Sequence, residues 1–81
     1  MTTKQEISSW FDAGVKRGAR HMLVICDSFD HEDYPAYTDT DADCRAKYEA
    51  PGSMQHVMEV YDLTADKAVQ LAMPRVFNLP V

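Results

Sequence analysis

The chain has 81 residues, with 13 Asp and Glu against 8 Lys and Arg and a formal net charge of -5. That length makes one small domain, residues 1–81, able to bury roughly 60% of the surface its unfolded chain exposes. The charge balance is a poor match to a polyanion, which argues against direct nucleic-acid binding. The longest apolar run, Met22 to Cys26, is far too short to cross a bilayer. The opening Met1-Thr2-Thr3-Lys4-Gln5-Glu6 lacks the apolar stretch of a signal peptide, so a cytosolic location is expected. A hydrophobic content of 46% with 26% charged residues suits a folded globule rather than a disordered segment.

The first element reads as a helix. Ile7, Trp10, Phe11, Gly14, Val15 and Gly18 recur on one face of a 3.6-residue repeat. Thr3 and Glu6 match a capping box, Lys16 and Arg17 suit the negative end of the dipole, and Gly18 suits a C-terminal stop. Trp10 and Phe11 are read as core anchors. The basic group Lys16, Arg17 and Arg20 serves the helix end rather than a phosphate.

His21-Met22-Leu23-Val24-Ile25-Cys26-Asp27 is rich in strand formers and apolar on both faces, the pattern of a central strand. Ser28 to Asp33 reads as a tight connection and Tyr34 to Thr38 as the returning strand, whose Pro35 places it at a sheet edge. Thr40 with Asp43 opens a second helix, with a narrow seam of Cys44 and Tyr48, and Pro51-Gly52 stops it. Met54 to Leu63 alternates as a third strand, with Met54, His56, Met58 and Val60 opposite Gln55, Val57, Glu59 and Tyr61. Thr64 is expected to cap a last helix that buries Ala65, Ala68, Val69 and Ala72 and ends near Pro74. The residues from Arg75 onward are either a docked tail or frayed. The fold class is therefore α+β: a three-stranded antiparallel sheet in order 2-1-3 with three helices, connected α-β-β-α-β-α.

The feature that points outward is an acidic run. Asp27, Asp30, Glu32, Asp33, Asp39, Asp41 and Asp43 are seven of the thirteen carboxylates, and no Lys or Arg lies among them. The rest of the chain is weakly basic, so the run reads as a local field of about -7 that attracts basic protein surfaces or cations. Asp39-x-Asp41-x-Asp43 opens like a calcium loop, but Cys44 stands where the turn needs Gly and Ala50 where a bidentate Glu belongs. An EF-hand is excluded, and helix capping explains the same aspartates. Asp27, Asp30, His31, Glu32 and Asp33 could offer oxygen and imidazole donors to Mg²⁺, Mn²⁺ or Zn²⁺, but they follow no metal-ligand spacing.

Catalytic signals are sparse. His56 reads as a core or boundary histidine rather than a base. Ser28, close to Asp27 and His31, is the one nucleophile candidate, without the G-x-S-x-G elbow. Cys26 and Cys44 lack a CxxC partner and are expected to be free thiols. Three glycines, none clustered, give no phosphate cradle and no nucleotide cofactor.

The stretch from Gly18 to Tyr37, with Cys26-Asp27-Ser28-Phe29-Asp30-His31-Glu32-Asp33-Tyr34-Pro35 at its centre, resembles a family of short uncharacterised proteins from bacteriophages and proteobacterial mobile elements. They share a C-D-[ST]-F-D-x-E-D-Y-P core followed by M-x-x-V-M-E-V-Y, here Met54 to Tyr61. The likeness covers most of the chain, and Pro74 to Val81 departs from it. It implies a phage or mobile-element setting and assigns no catalytic residue.

The leading expectation is a non-enzymatic interaction protein. It would present Asp27, Asp30, His31, Glu32 and Asp33, flanked by Tyr34 and Tyr37, to a basic protein surface. In a phage setting this would be an inhibitor of a host nucleic-acid-binding defence complex, by analogy with anti-CRISPR proteins. The alternative is a small metal-binding or metal-dependent protein using the Asp27–Asp33 cluster. A third possibility is a small-ligand pocket formed between chains, which the acidic surface disfavours for anionic nucleotides.

Overall fold

Seven residues, His21–Asp27, form the central strand β1 of a three-stranded antiparallel sheet ordered β2-β1-β3. In this computed structural model, which describes residues 2–80, the elements follow as α1 (Lys4–Arg17), β1, β2 (Glu32–Thr38), α2 (Asp41–Glu49), β3 (Gln55–Asp62) and α3 (Lys67–Leu71). The α-β-β-α-β-α order, the 2-1-3 sheet and the edge position of β2 with its Pro35 are those expected from the sequence. No helix among the described residues is long and apolar enough to cross a membrane.

Two apolar layers sandwich β1, because its side chains alternate and both sets are buried. Met22 and Val24 face α1, where they pack with Ile7, Phe11, Tyr61, Leu63 and Val76. Leu23 and Ile25 face α2, where they meet Cys44 and Val60, with Tyr34, Ala36, Val57 and Leu79 around them. Phe11 and Tyr61 meet edge to face, centroids 6.3 Å apart.

The helix ends follow local chemistry. Thr3 accepts the Glu6 N–H at 3.1 Å. Gly18, at φ 85, ends α1, its N–H donating to the Val15 carbonyl at 3.0 Å while the Ala19 N–H reaches Gly14 at 3.1 Å. That pair of bonds is a Schellman motif, which needs a left-handed residue. Thr40 likewise accepts the Asp43 N–H at 3.1 Å to open α2.

Three expectations need correction. The third strand does not alternate strictly: Val24 pairs with Glu59 and Ile25 with Val57, so Met58 is an extra residue, a β-bulge. The bulge puts Val57 with Val60 on the α2 side and Met58 with Tyr61 on the α1 side, and leaves His56 exposed rather than in an apolar face. The last helix is capped by Asp66, which accepts the Val69 N–H at 3.0 Å, while Thr64 donates its hydroxyl to Asp62 Oδ1 at 2.6 Å. This helix buries Gln70 and partly buries Leu71, whereas Ala65, Ala68, Val69 and Ala72 are exposed.

The tail after Pro74 is docked. Val76 is fully buried, and Val60 and Phe77 form a parallel bridge: the Val60 N–H donates to the Val76 carbonyl at 2.8 Å and the Asn78 N–H to the Val60 carbonyl at 2.9 Å.

Gly14 sets how closely α1 approaches the sheet. A Cβ there would lie 2.7 Å from Tyr37 Cε1 and 2.8 Å from Leu63 Cδ1. The Tyr37 ring cannot simply swing away, because its hydroxyl donates to the Trp10 carbonyl at 2.7 Å. Overpacking of about 1–3 kcal/mol opposes the roughly 1 kcal/mol that Ala gains over Gly within a helix. Gly14→Ala is therefore expected to lose about 1 kcal/mol of stability in urea unfolding. A variant more stable than the parent would contradict this packing.

Candidate functional site

The acidic run does not form a single field. β2 is extended, so the six residue-to-residue steps from Asp33 to Asp39 span roughly 20 Å at ~3.3 Å each. Asp27, Asp30, Glu32 and Asp33 gather at the tip of the β1–β2 hairpin. Asp39, Asp41 and Asp43 lie at the far end of β2, at the start of α2. There Arg20 approaches Asp41 at 3.5 Å, and Asp41 and Asp43 occupy the first turn of α2, next to its free N–H groups. The expected field of about -7 is thus two poles, and only the tip pole lacks an ion pair among the described residues.

Backbone chemistry explains why aspartates build the tip. Asp27 and Glu32 are the last cross-strand pair, with Ser28 to His31 between them. The Asp27 carboxylate accepts the Phe29 N–H at 2.9 Å and its carbonyl accepts the His31 N–H at 2.8 Å. Asp30 repeats the pattern on the Glu32 N–H at 3.1 Å. Short acidic side chains that bond the backbone two residues on are well suited to such turns. His31 takes a left-handed conformation, φ 59.

A second loop holds the first in place. The N–H and hydroxyl of Ser28 both donate to the Met54 carbonyl, at 2.7 and 2.6 Å. Met54 is also left-handed, φ 60, just before β3. Its side chain is 56% exposed, and Phe29 at the hairpin tip is 78% exposed. Neither residue is among the site residues expected from the sequence. Phe29 had a visible signal, since a large apolar residue inside a polar four-residue turn has no core to enter. Met54 had none, because it reads as the first residue of a strand.

The remaining predicted residues divide between roles. Asp30, His31 and Glu32 are exposed and Asp27 is half-buried. Asp33, also half-buried, accepts the Thr2 hydroxyl at 2.6 Å. Tyr34 packs on the α2 side and donates to Gln55 Oε1 at 2.8 Å. Tyr37 packs on the α1 side beneath the Arg17 guanidinium, 5.3 Å from its ring centroid. The two tyrosines therefore lie on opposite faces and belong more to the core than to the tip.

No three His, Cys, Asp or Glu side chains among the described residues are placed to hold a metal ion together. Ser28 is committed to Met54 and makes no hydrogen bond to His31. Both cysteines are free; Cys44 is buried, and burial pushes its thiol pKa up. A cavity of about 340 Å³ lies between the first turn of α1, the sheet and the tail. Ile7, Val24 and Met58 line it with Lys4, Glu59 and Arg75, and Lys4 stands 3.9 Å from Glu59. Its charges are partly matched within the fold.

In comparisons with known proteins, the chain matches no family model, no curated protein and no solved structure. Fold and site together define a small α+β protein whose sheet ends in a braced acidic hairpin with two exposed apolar side chains.

Cys26, paired with Asp33 across the hairpin, reports on the tip field. Partial burial raises its pKa first, and the neighbouring carboxylates of Asp33, Asp27 and Asp30 raise it further. Because the thiolate is the nucleophile, Cys26 should alkylate slowly with iodoacetamide at mildly alkaline pH. Asp33→Asn should speed the reaction severalfold, and so, more weakly, should added salt. Equal rates in parent and variant would mean that the tip carboxylates do not act on this thiol.

Proposed function

We propose that this chain is a non-enzymatic interaction protein that presents its hairpin tip to a basic protein surface. Asp27, Asp30, Glu32 and Asp33 supply the charge, His31 sits among them, and Tyr34 and Tyr37 brace the strand behind. The observation that carries the reading is the uncompensated tip. The ion pairs of the described residues are Lys4–Glu59, Arg20–Asp41 and Lys67–Asp12, and none of them neutralises a tip carboxylate. Carboxylates without an ion-pair partner on a braced loop steer association and select partners of opposite sign.

The resemblance to phage and mobile-element proteins gives the proposal a setting inside a host cell. There, a protein with cations arranged for phosphate offers the complementary surface, and occupying it would inhibit nucleic-acid binding. A host defence complex of that kind is the proposed target.

The test is a pull-down from host lysate with the tagged chain, run beside the triple variant Asp30→Lys, Glu32→Lys, Asp33→Lys. A partner held by the parent and lost by the variant is the expected result. Capture should also weaken from low to physiological salt, as the screening length contracts to about 8 Å. A partner retained by the variant would move the interface away from the tip.

A further inference from the structure

Phe29 is the most exposed large apolar side chain of the described residues, and it stands in the hairpin turn between Asp27 and Asp30. An exposed aromatic on a mobile loop would carry little meaning. Here the ring is fixed at its base by the Phe29 N–H bond to Asp27, by the two Ser28 bonds to Met54, and by the flanking Asp30 turn. Met54, the residue Ser28 grips, adds a second exposed apolar group at the same end of the sheet.

We infer that Phe29, with Met54 at the same end of the sheet, is an anchor that enters an apolar recess ringed by Lys or Arg on the partner. The inference rests on the reading of the tip as an interaction site and names the chemistry of what it meets. The exposed apolar pair carries it, and the surrounding charge decides the occupant. A second copy of this chain is disfavoured, because four tip carboxylates would face four more. An anionic membrane is disfavoured by the same repulsion. A recess with basic walls satisfies both parts: the ring is desolvated at the centre while carboxylates meet cations at the rim, the arrangement in which a few central residues dominate binding. The braced loop also loses little conformational freedom on docking.

Short fluorescent peptides provide defined probes, read by anisotropy against the whole chain: alternating Lys and Trp, alternating Lys and Gly, and alternating Glu and Trp. The Lys/Trp peptide should bind about three- to tenfold tighter than Lys/Gly, the range of one aromatic contact. Phe29→Ala should erase that ratio while leaving Lys/Gly affinity unchanged; circular dichroism would verify that the variant is folded. Asp30→Asn with Glu32→Gln should weaken both basic peptides equally. If Phe29→Ala preserves the ratio, or Lys/Gly binds as well as Lys/Trp, the anchor is wrong and the basic-partner reading survives. Failure of both basic peptides to bind would overturn that reading and the anchor with it. Binding of Glu/Trp as tight as Lys/Trp would overturn the charged rim.

Discussion

The structure depends on burying one strand from both sides. Met22 to Ile25 are almost wholly sequestered, and a chain this short has little other apolar material with which to build a core. Each cover is consequently economical. On one side α1 approaches through Gly14 and contributes Ile7 and Phe11. On the other, α2 contributes a single fully buried side chain, Cys44, and the remaining cover comes from strand neighbours and Leu79. Edge strand β2 is held by the same device, since Tyr34 and Tyr37 reach to opposite faces and each hydroxyl bonds a neighbouring element.

Polar groups within this core act as fasteners. Glu59, 9% exposed, accepts the Tyr61 hydroxyl at 3.1 Å and the Val76 N–H at 3.2 Å. Burial and the Glu59 charge both raise the Tyr61 pKa, which keeps that hydroxyl a donor. Gln70 does comparable work with a neutral amide. It accepts the Asp62 N–H at 2.8 Å, donates to the Asp62 carbonyl at 2.9 Å, and accepts from Asn78 at 2.7 Å. A buried polar group so fully satisfied ties its elements together, whereas one left unpaired costs about 1–3 kcal/mol. Among the described residues His21 Nδ1 and Thr38 Oγ1 are buried without hydrogen-bond partners near the junction of β1, β2 and α2, where Asp41 Oδ1 has only the ion-pair approach of Arg20 at 3.5 Å. That junction is the less well satisfied end of the molecule.

Much of this architecture was legible in the residues themselves. Two-faced apolarity identified β1, Pro35 placed β2 at an edge, and Thr3, Gly18 and Thr40 marked helix ends through local hydrogen bonding. What the sequence concealed is non-local. Nothing near Met58 announces a bulge, because the extra residue is absorbed by pairing with β1. Thr64 and Asp66 are both plausible caps, and Asp66 prevails because Thr64 is held by Asp62. The acidic run read as continuous because charges close in sequence need not be close in space: a strand between them carries half to the opposite pole. Phe29, an apolar residue in a polar turn, carries a signal in the sequence alone, while Met54 needs the Ser28 bonds to be seen at the tip.

The docked tail has a consequence for how the protein comes into being. Synthesis proceeds from the N-terminus, and domains fold as their residues become available. A nascent chain that has emerged only through α3 possesses every strand, yet it lacks Val76 for the core and the backbone partners of Val60. Until then the outer edge of β3 offers unpaired amide and carbonyl groups, the kind of surface that recruits other strands. The nascent molecule therefore passes through an interval with an open β3 edge, which closes only when residues 76–79 are free to dock.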